Sequence, residues 1–224
     1  MNDAATIHLP CILCLHGGGT NAMIFQIYRE PRPDVMLVYR NYGPFRVWFC
    51  DYNMSKVLTS RDVATAINAS LALAMAADDA KGATGDWIGL LGFSQGAKVA
   101  ASILYRQQRC GITNFRFTIL FAGRGPLVWL MPDLPHAATP FTHSSSSWLT
   151  MGSDKHMLRL PTVHVHGLNN PGLEHYRDLL REYCDPLQTT LLEWEGNHRM
   201  PIKNRDVETV VQQIHRVARE TETP

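Results

Sequence analysis

No run of apolar residues in this chain approaches the roughly 20 that a membrane-spanning helix needs, so no membrane role is expected. An excess of one charge is missing too. The chain holds 21 Lys and Arg against 20 Asp and Glu, a net charge of +1, and without a basic surplus no nucleic-acid partner is expected. Met1-Asn2-Asp3 opens with neither the basic stretch nor the apolar block of a secretion signal, which makes the cytoplasm the expected compartment. Five cysteines at irregular spacing do not make a disulfide framework; mostly buried free thiols are expected instead. Cys11 and Cys14 sit in a strand-like run, where positions three apart point to opposite faces, so they do not form a metal or redox pair. A nucleotide-phosphate signature is also absent. The Gly-rich segment His16-Gly17-Gly18-Gly19 is neither Gly-x-Gly-x-x-Gly nor followed by Gly-Lys-Ser/Thr. Nothing in the chain calls for a cofactor or a metal.

What is present is an ordinary globular composition, 45% apolar and 18% charged, in 224 residues, enough for one domain with a sizeable core. Strand-like runs fall at Pro10–Leu15, Val35–Val38, Arg46–Phe49, Trp87–Leu91, Arg116–Phe121, Thr162–His166 and Thr189–Trp194. Helical periodicity lies between many of them: Asp62–Ala77, Gln95–Arg109, Leu173–Tyr183, and a last helix marked by Val207, Val210, Val211, Ile214 and Val217. This alternation predicts an α/β fold, a mostly parallel sheet covered by helices on both faces. Residues 1–224 then form a single domain, interrupted by a lid-like insertion at about 123–160 that is rich in proline and serine and lacks a clear period. Leu127 and Trp129 near its start either line an apolar substrate pocket or pack the insertion onto the sheet.

The chemistry concentrates at Gly92-Phe93-Ser94-Gln95-Gly96. The apolar run before it and the helical run after it give this Gly-x-Ser-x-Gly the strand–turn–helix setting of a nucleophile elbow. A serine needs a base, and the base needs a group that orients it. His198 follows the strand-like run that ends at Glu195 and sits in the loop Gly196-Asn197-His198, where a general base is expected. His164 and His166 share one face of a strand but lack a third ligand at sensible spacing, so core packing is their expected role. His136, His143 and His156 fall in the insertion and are expected in solvent, and His175 opens a helix near the acid loop. The glycines after His16 free backbone N–H groups for an oxyanion; Gly18 and the residue after the nucleophile, Gln95, are the expected donors.

The segments His16–Asn21, Gly92–Ala97 and Pro161–Gly167, together with His198 in its loop, resemble the fungal serine hydrolase family of the α/β-hydrolase superfamily. The likeness is strong over Cys11–Asn21, Trp87–Gly125 and Leu160–Val211. It is closest to the branch found in polyketide gene clusters. The resemblance implies an esterase, or a thioesterase that releases an acyl or polyketide chain from an acyl carrier protein. The family's pattern places an aspartate shortly after Gly167. Here the loop reads Leu168-Asn169-Asn170-Pro171, and Asn170 stands at that position. Asparagine brings no charge to an imidazolium and can favour the wrong tautomer; an Asp-to-Asn change in a serine triad can slow turnover about 10⁴-fold. Glu174 is the nearest carboxylate that could substitute. A second departure is length. The 13 residues from Ala22 to Asp34, two of them proline, are too few for the helix and strand expected after the oxyanion loop, so the N-terminal part reads as truncated. Two functions stay open: a serine hydrolase, and a hydrolase-fold remnant that binds without catalysis.

Overall fold

The computed structural model describes residues 8–20, 46–48, 60–82, 85–131 and 157–222. Five strands form one sheet: β1 (Cys11–Leu15), β2 (Trp87–Phe93), β3 (Phe117–Phe121), β4 (Thr162–Gly167) and β5 (Thr189–Trp194). They lie side by side in chain order, and every neighbouring pair is parallel. Helices α1 (Ser60–Asp79), α2 (Gln95–Cys110), α3 (Leu173–Tyr183) and α4 (Asn204–Glu220) stand between or after them.

The period of two in the strands divides the core into two faces. Leu13, Leu15, Leu90 and Leu120 face α1 and α2, where Ala64, Ile67, Val99, Ile103 and Leu104 meet them. Phe117, Ile119, Phe121, Val163 and Val165 face the other way, onto Val210 and Val217 of α4. Helix α3 contributes to both sides, Leu179 to the first cluster and Tyr176 to the second. Full burial of each such leucine or phenylalanine contributes about 1.5–3 kcal/mol. Strands covered on both faces read as nearly continuous apolar runs, which is why β2, β3 and β4 were legible. The parallel arrangement also has a consequence for function. The carboxyl ends of all five strands lie along one edge, and loops following β1, β2, β4 and β5 meet there.

Several expectations change here. Val35–Val38 and Ala22–Asp34 lie outside the described residues, as do His136, His143 and His156. Within Arg46–Phe49, the described residues form only an antiparallel bridge, Arg46 to Thr20, in place of a strand. Of the four described cysteines, all free, only Cys184 is buried, while Cys14 and Cys110 are exposed. Cys14 is exposed because alternation along β1 turns it away from the face that buries Leu13 and Leu15. Leu127 is packed inside the core, and Trp129 is half-buried against the same cluster. The packing role therefore describes Leu127. The backbone N–H of Val128 donates to Ser102 Oγ at 2.8 Å, which ties the start of the insertion to α2. No described helix is long and apolar enough to cross a membrane.

His164 and His166 sit at the centre of β4, wholly buried, and their four ring nitrogens find no hydrogen-bond partner among the described residues. Burial pushes His164 down to about 3, with the neighbouring His166 acting the same way, and pushes His166 down to about 4. Both are neutral in the fold near neutral pH. In the unfolded chain each takes a proton near pH 6.5. Stability is therefore unaffected above that value. It falls as the pH drops from 6.5 toward 4, by up to about 1.4 kcal/mol per pH unit for each histidine. The expected result is a urea midpoint that drops between pH 7 and pH 5, with a clearly smaller drop in His164→Leu; equal drops in both proteins would contradict it.

Candidate active site

Ser94 links β2 to α2 on a turn with φ +53° and ψ −114°, left-handed backbone that a serine adopts only at a cost on the order of 1–3 kcal/mol. The surroundings hold it there. Its N–H donates to the carbonyl of Phe121 at 2.8 Å, and its own carbonyl accepts from Ala97 and Lys98. The flanking glycines are required by close approach. A Cβ on Gly92 would lie 2.4 Å from the carbonyl oxygen of Gly96, and one on Gly96 would lie 2.3 Å from that of Leu15. The first turn of α2 thus packs directly on the end of β1, next to the glycine-rich loop.

That loop is fixed from several directions. The N–H of Gly19 donates to Arg46 at 3.0 Å, while Gly18 has no backbone partner for its N–H among the described residues. A Cβ on Gly18 would sit 3.1 Å from Gln95 Oε1, so the Gln95 side chain packs against the loop at Gly18. Trp48, which the sequence did not single out, ties Gln95 to the start of the loop at His16. Its N–H donates to Gln95 Oε1 and its Nε1–H to the carbonyl of His16, each at 2.8 Å, and its ring stacks on that of His16. Burial holds His16 below the usual imidazole value, against the pull of the Gly17 carbonyl, and the Arg46 charge adds to the lowering.

His198 arrives from the far side of the sheet. The loops after β4 and β5 are stitched together: the N–H groups of Leu168 and Asn169 donate to Trp194 and Gly196 at 3.0 and 2.9 Å. This carries the imidazole back over β2, where it contacts the Phe93 ring and brings Nε2 to 3.1 Å from Ser94 Oγ. The two residues are 104 apart in sequence.

Among the described residues, Asn170 and Tyr176 meet the other ring nitrogen, Nδ1. Asn170 places Nδ2 at 3.1 Å, and Tyr176 places its hydroxyl at 2.7 Å. The orientation of the asparagine follows from its other contact. The N–H of Gly172 donates to Asn170 Oδ1 at 2.9 Å, so the oxygen is turned away and the amide nitrogen, which can only donate, faces the imidazole. Glu174 does not reach this point as a substitute acid. It is exposed and engaged by Arg177 at 2.8 Å and Arg181 at 3.2 Å, whose hydrogen bonds hold its carboxyl below the usual range. His175 is exposed too, 3.8 Å from Asp178. Tyr176 was missed because a tyrosine within a regular amphipathic helix carries no catalytic signature; its spacing from the acid position was the available clue.

The described residues thus bring a hydroxyl, an imidazole and the glycine-loop amide of Gly18 to one edge of a parallel sheet, with no cluster of metal ligands among them. A strained serine at the end of one strand and an imidazole delivered by a later one define a serine hydrolase of the α/β-hydrolase class. Comparison with known proteins narrows this. The model for the serine hydrolase (FSH1) family matches residues 27–210, and the chain belongs to that family. Esterase dbaE of Emericella nidulans is 48% identical over 258 residues, covering 96% of this chain and 93% of that protein. That alignment exceeds the chain's 224 residues, so the relative carries residues with no counterpart here. Esterase pigG of Monascus ruber is 44% identical, covering 98% of this chain and 95% of its own length. Among solved structures, a fungal esterase of Rhizomucor miehei shares the fold with a TM-score of 0.56 at 14% identity, covering 97% of this chain and 75% of that one.

Proposed function

We propose that the chain is a cytoplasmic serine esterase that also cleaves thioesters, releasing acyl or polyketide chains, including chains held on an acyl carrier protein. The observation that carries the reading is the 3.1 Å contact between Ser94 Oγ and His198 Nε2 on a strained turn. Ser94 attacks the acyl carbon, and His198 takes the hydroxyl proton. The N–H groups of Gly18 and Gln95 hold the oxyanion, each typically worth about 2.7–4 kcal/mol of barrier. His198 then returns the proton to the leaving group and activates the water that frees the acid. Asn170 contributes little to this cycle, because its amide nitrogen faces the imidazole and brings no charge. A thioester suits so weakened a base, since a thiolate leaves with less help than an alkoxide. The relatives Esterase dbaE and Esterase pigG support the ester half of the reading.

The test is acyl release from matched oxygen esters and thioesters, including a carrier-bound chain. Release of both above the buffer rate, with the thioester less impaired, is expected. Release from esters alone would remove the thioesterase part, and release from neither would favour a non-catalytic binding protein.

A further inference from the structure

The transition state imposes a requirement that Asn170 does not meet. When His198 takes the Ser94 proton on Nε2, it becomes an imidazolium with protons on both nitrogens, and Nδ1–H then needs an acceptor. Close to it among the described residues, the asparagine Nδ2 at 3.1 Å is a donor. Either orientation of the amide opposes two donors once Nδ1 carries a proton: as placed, Nδ2 faces Nδ1–H, and turned over it would face the N–H of Gly172, now 2.9 Å from Oδ1. The phenol oxygen of Tyr176, at 2.7 Å, has lone pairs to offer.

We infer that Tyr176 is the positioning residue for His198: its hydroxyl oxygen accepts the hydrogen bond from Nδ1–H, and so fills the role that a carboxylate fills in an ordinary triad. No proton leaves Nδ1. The phenol holds the tautomer whose Nε2 carries the lone pair, then supports the imidazolium as Nε2 takes the serine proton.

The surroundings fit this task. Tyr176 is 1% exposed, so its ring does not wander. It stacks against His198 on one side and lies against His166 on the other, with ring centroids 6.0 and 5.8 Å away. Gly172 leaves room at the tip, since a Cβ there would lie 3.1 Å from the hydroxyl oxygen. The buried pair His164 and His166, held neutral, backs this ring without adding a competing positive charge.

The inference rests on the Ser94–His198 reading, and the test keeps the two apart. Tyr176→Phe preserves the ring and removes only the hydroxyl. In the parent chain it is expected to lower kcat about 10- to 100-fold, the cost of leaving one buried donor unpaired, with KM changed less than about twofold. In an Asn170→Asp background a carboxylate takes over Nδ1–H, and Tyr176→Phe is expected to cost less than about threefold. Equal losses in both backgrounds, or a faster enzyme in the parent background, would overturn the assignment. A second measurement does not depend on activity. Nitrogen-15 spectra of His198 near neutral pH should show a protonated Nδ1 in the parent chain, and less protonation there in Tyr176→Phe. An unprotonated Nδ1 in the parent would mean that the tyrosine donates, and the inference would fail even if Ser94 is the nucleophile.

Discussion

Asn170→Asp should accelerate ester hydrolysis by roughly 100-fold, almost wholly in kcat. The present side chain directs its donor nitrogen at His198 Nδ1 while its oxygen is occupied by the N–H of Gly172. Aspartate has the same shape. One carboxylate oxygen keeps the Gly172 bond, and the other accepts from Nδ1–H and sets a negative charge beside the developing imidazolium. The reverse change in a serine protease costs about 10⁴-fold. The gain here is smaller because the Tyr176 hydroxyl already stands 2.7 Å from the same nitrogen. Steady-state rates on a simple aryl ester measure the effect, and an unchanged rate would show that the third position is unused.

Ser94→Ala should have the opposite and larger effect. It removes the attacking oxygen and leaves the base without a partner, so the expected loss is about 10⁴- to 10⁶-fold, down to what the oxyanion donors and binding alone supply. The substitution also relieves nothing in the backbone, because alanine meets the same φ of +53°, so the fold should survive with its stability nearly unchanged. Normal circular dichroism with residual hydrolysis near background is the expected pair of results. Substantial remaining activity in the purified variant would assign the chemistry to another residue.

The sequence disclosed the site where chemistry imposes local rules. The elbow was legible because its glycines answer to backbone atoms 2.3 to 2.4 Å from where a Cβ would stand, a constraint that leaves a short fixed pattern. His198 was legible because a parallel sheet delivers every strand's carboxyl end to the same edge, so a histidine just after the last strand had one natural destination. The strands β2 to β4 announced themselves by being apolar on both faces.

What stayed hidden depends on contacts between distant segments. Tyr176 looks like any apolar-face residue of α3, and only the fold brings its hydroxyl to an imidazole 22 positions away. Trp48 reads as part of a strand, yet its N–H groups are satisfied by Gln95 and His16 instead of by a neighbouring strand. Glu174 looked available because its sequence position is right, but arginines three and seven residues on lie along the same helix face and engage it. The mostly buried cysteines expected from apolar runs were misjudged for a similar reason: alternation within β1 turns Cys14 outward while Leu13 and Leu15 turn in.

The central claim is that the Ser94 hydroxyl is activated by His198 across the two loops that join at the sheet's edge. A fluorophosphonate probe tests it most directly, since the reagent bonds only to an activated serine and needs no knowledge of the natural substrate. Mass spectrometry of the labelled protein should find one adduct, on the peptide containing Ser94, absent in Ser94→Ala and strongly slowed in His198→Ala. Folded parent protein that takes up no label, or that labels equally well without His198, would contradict the account.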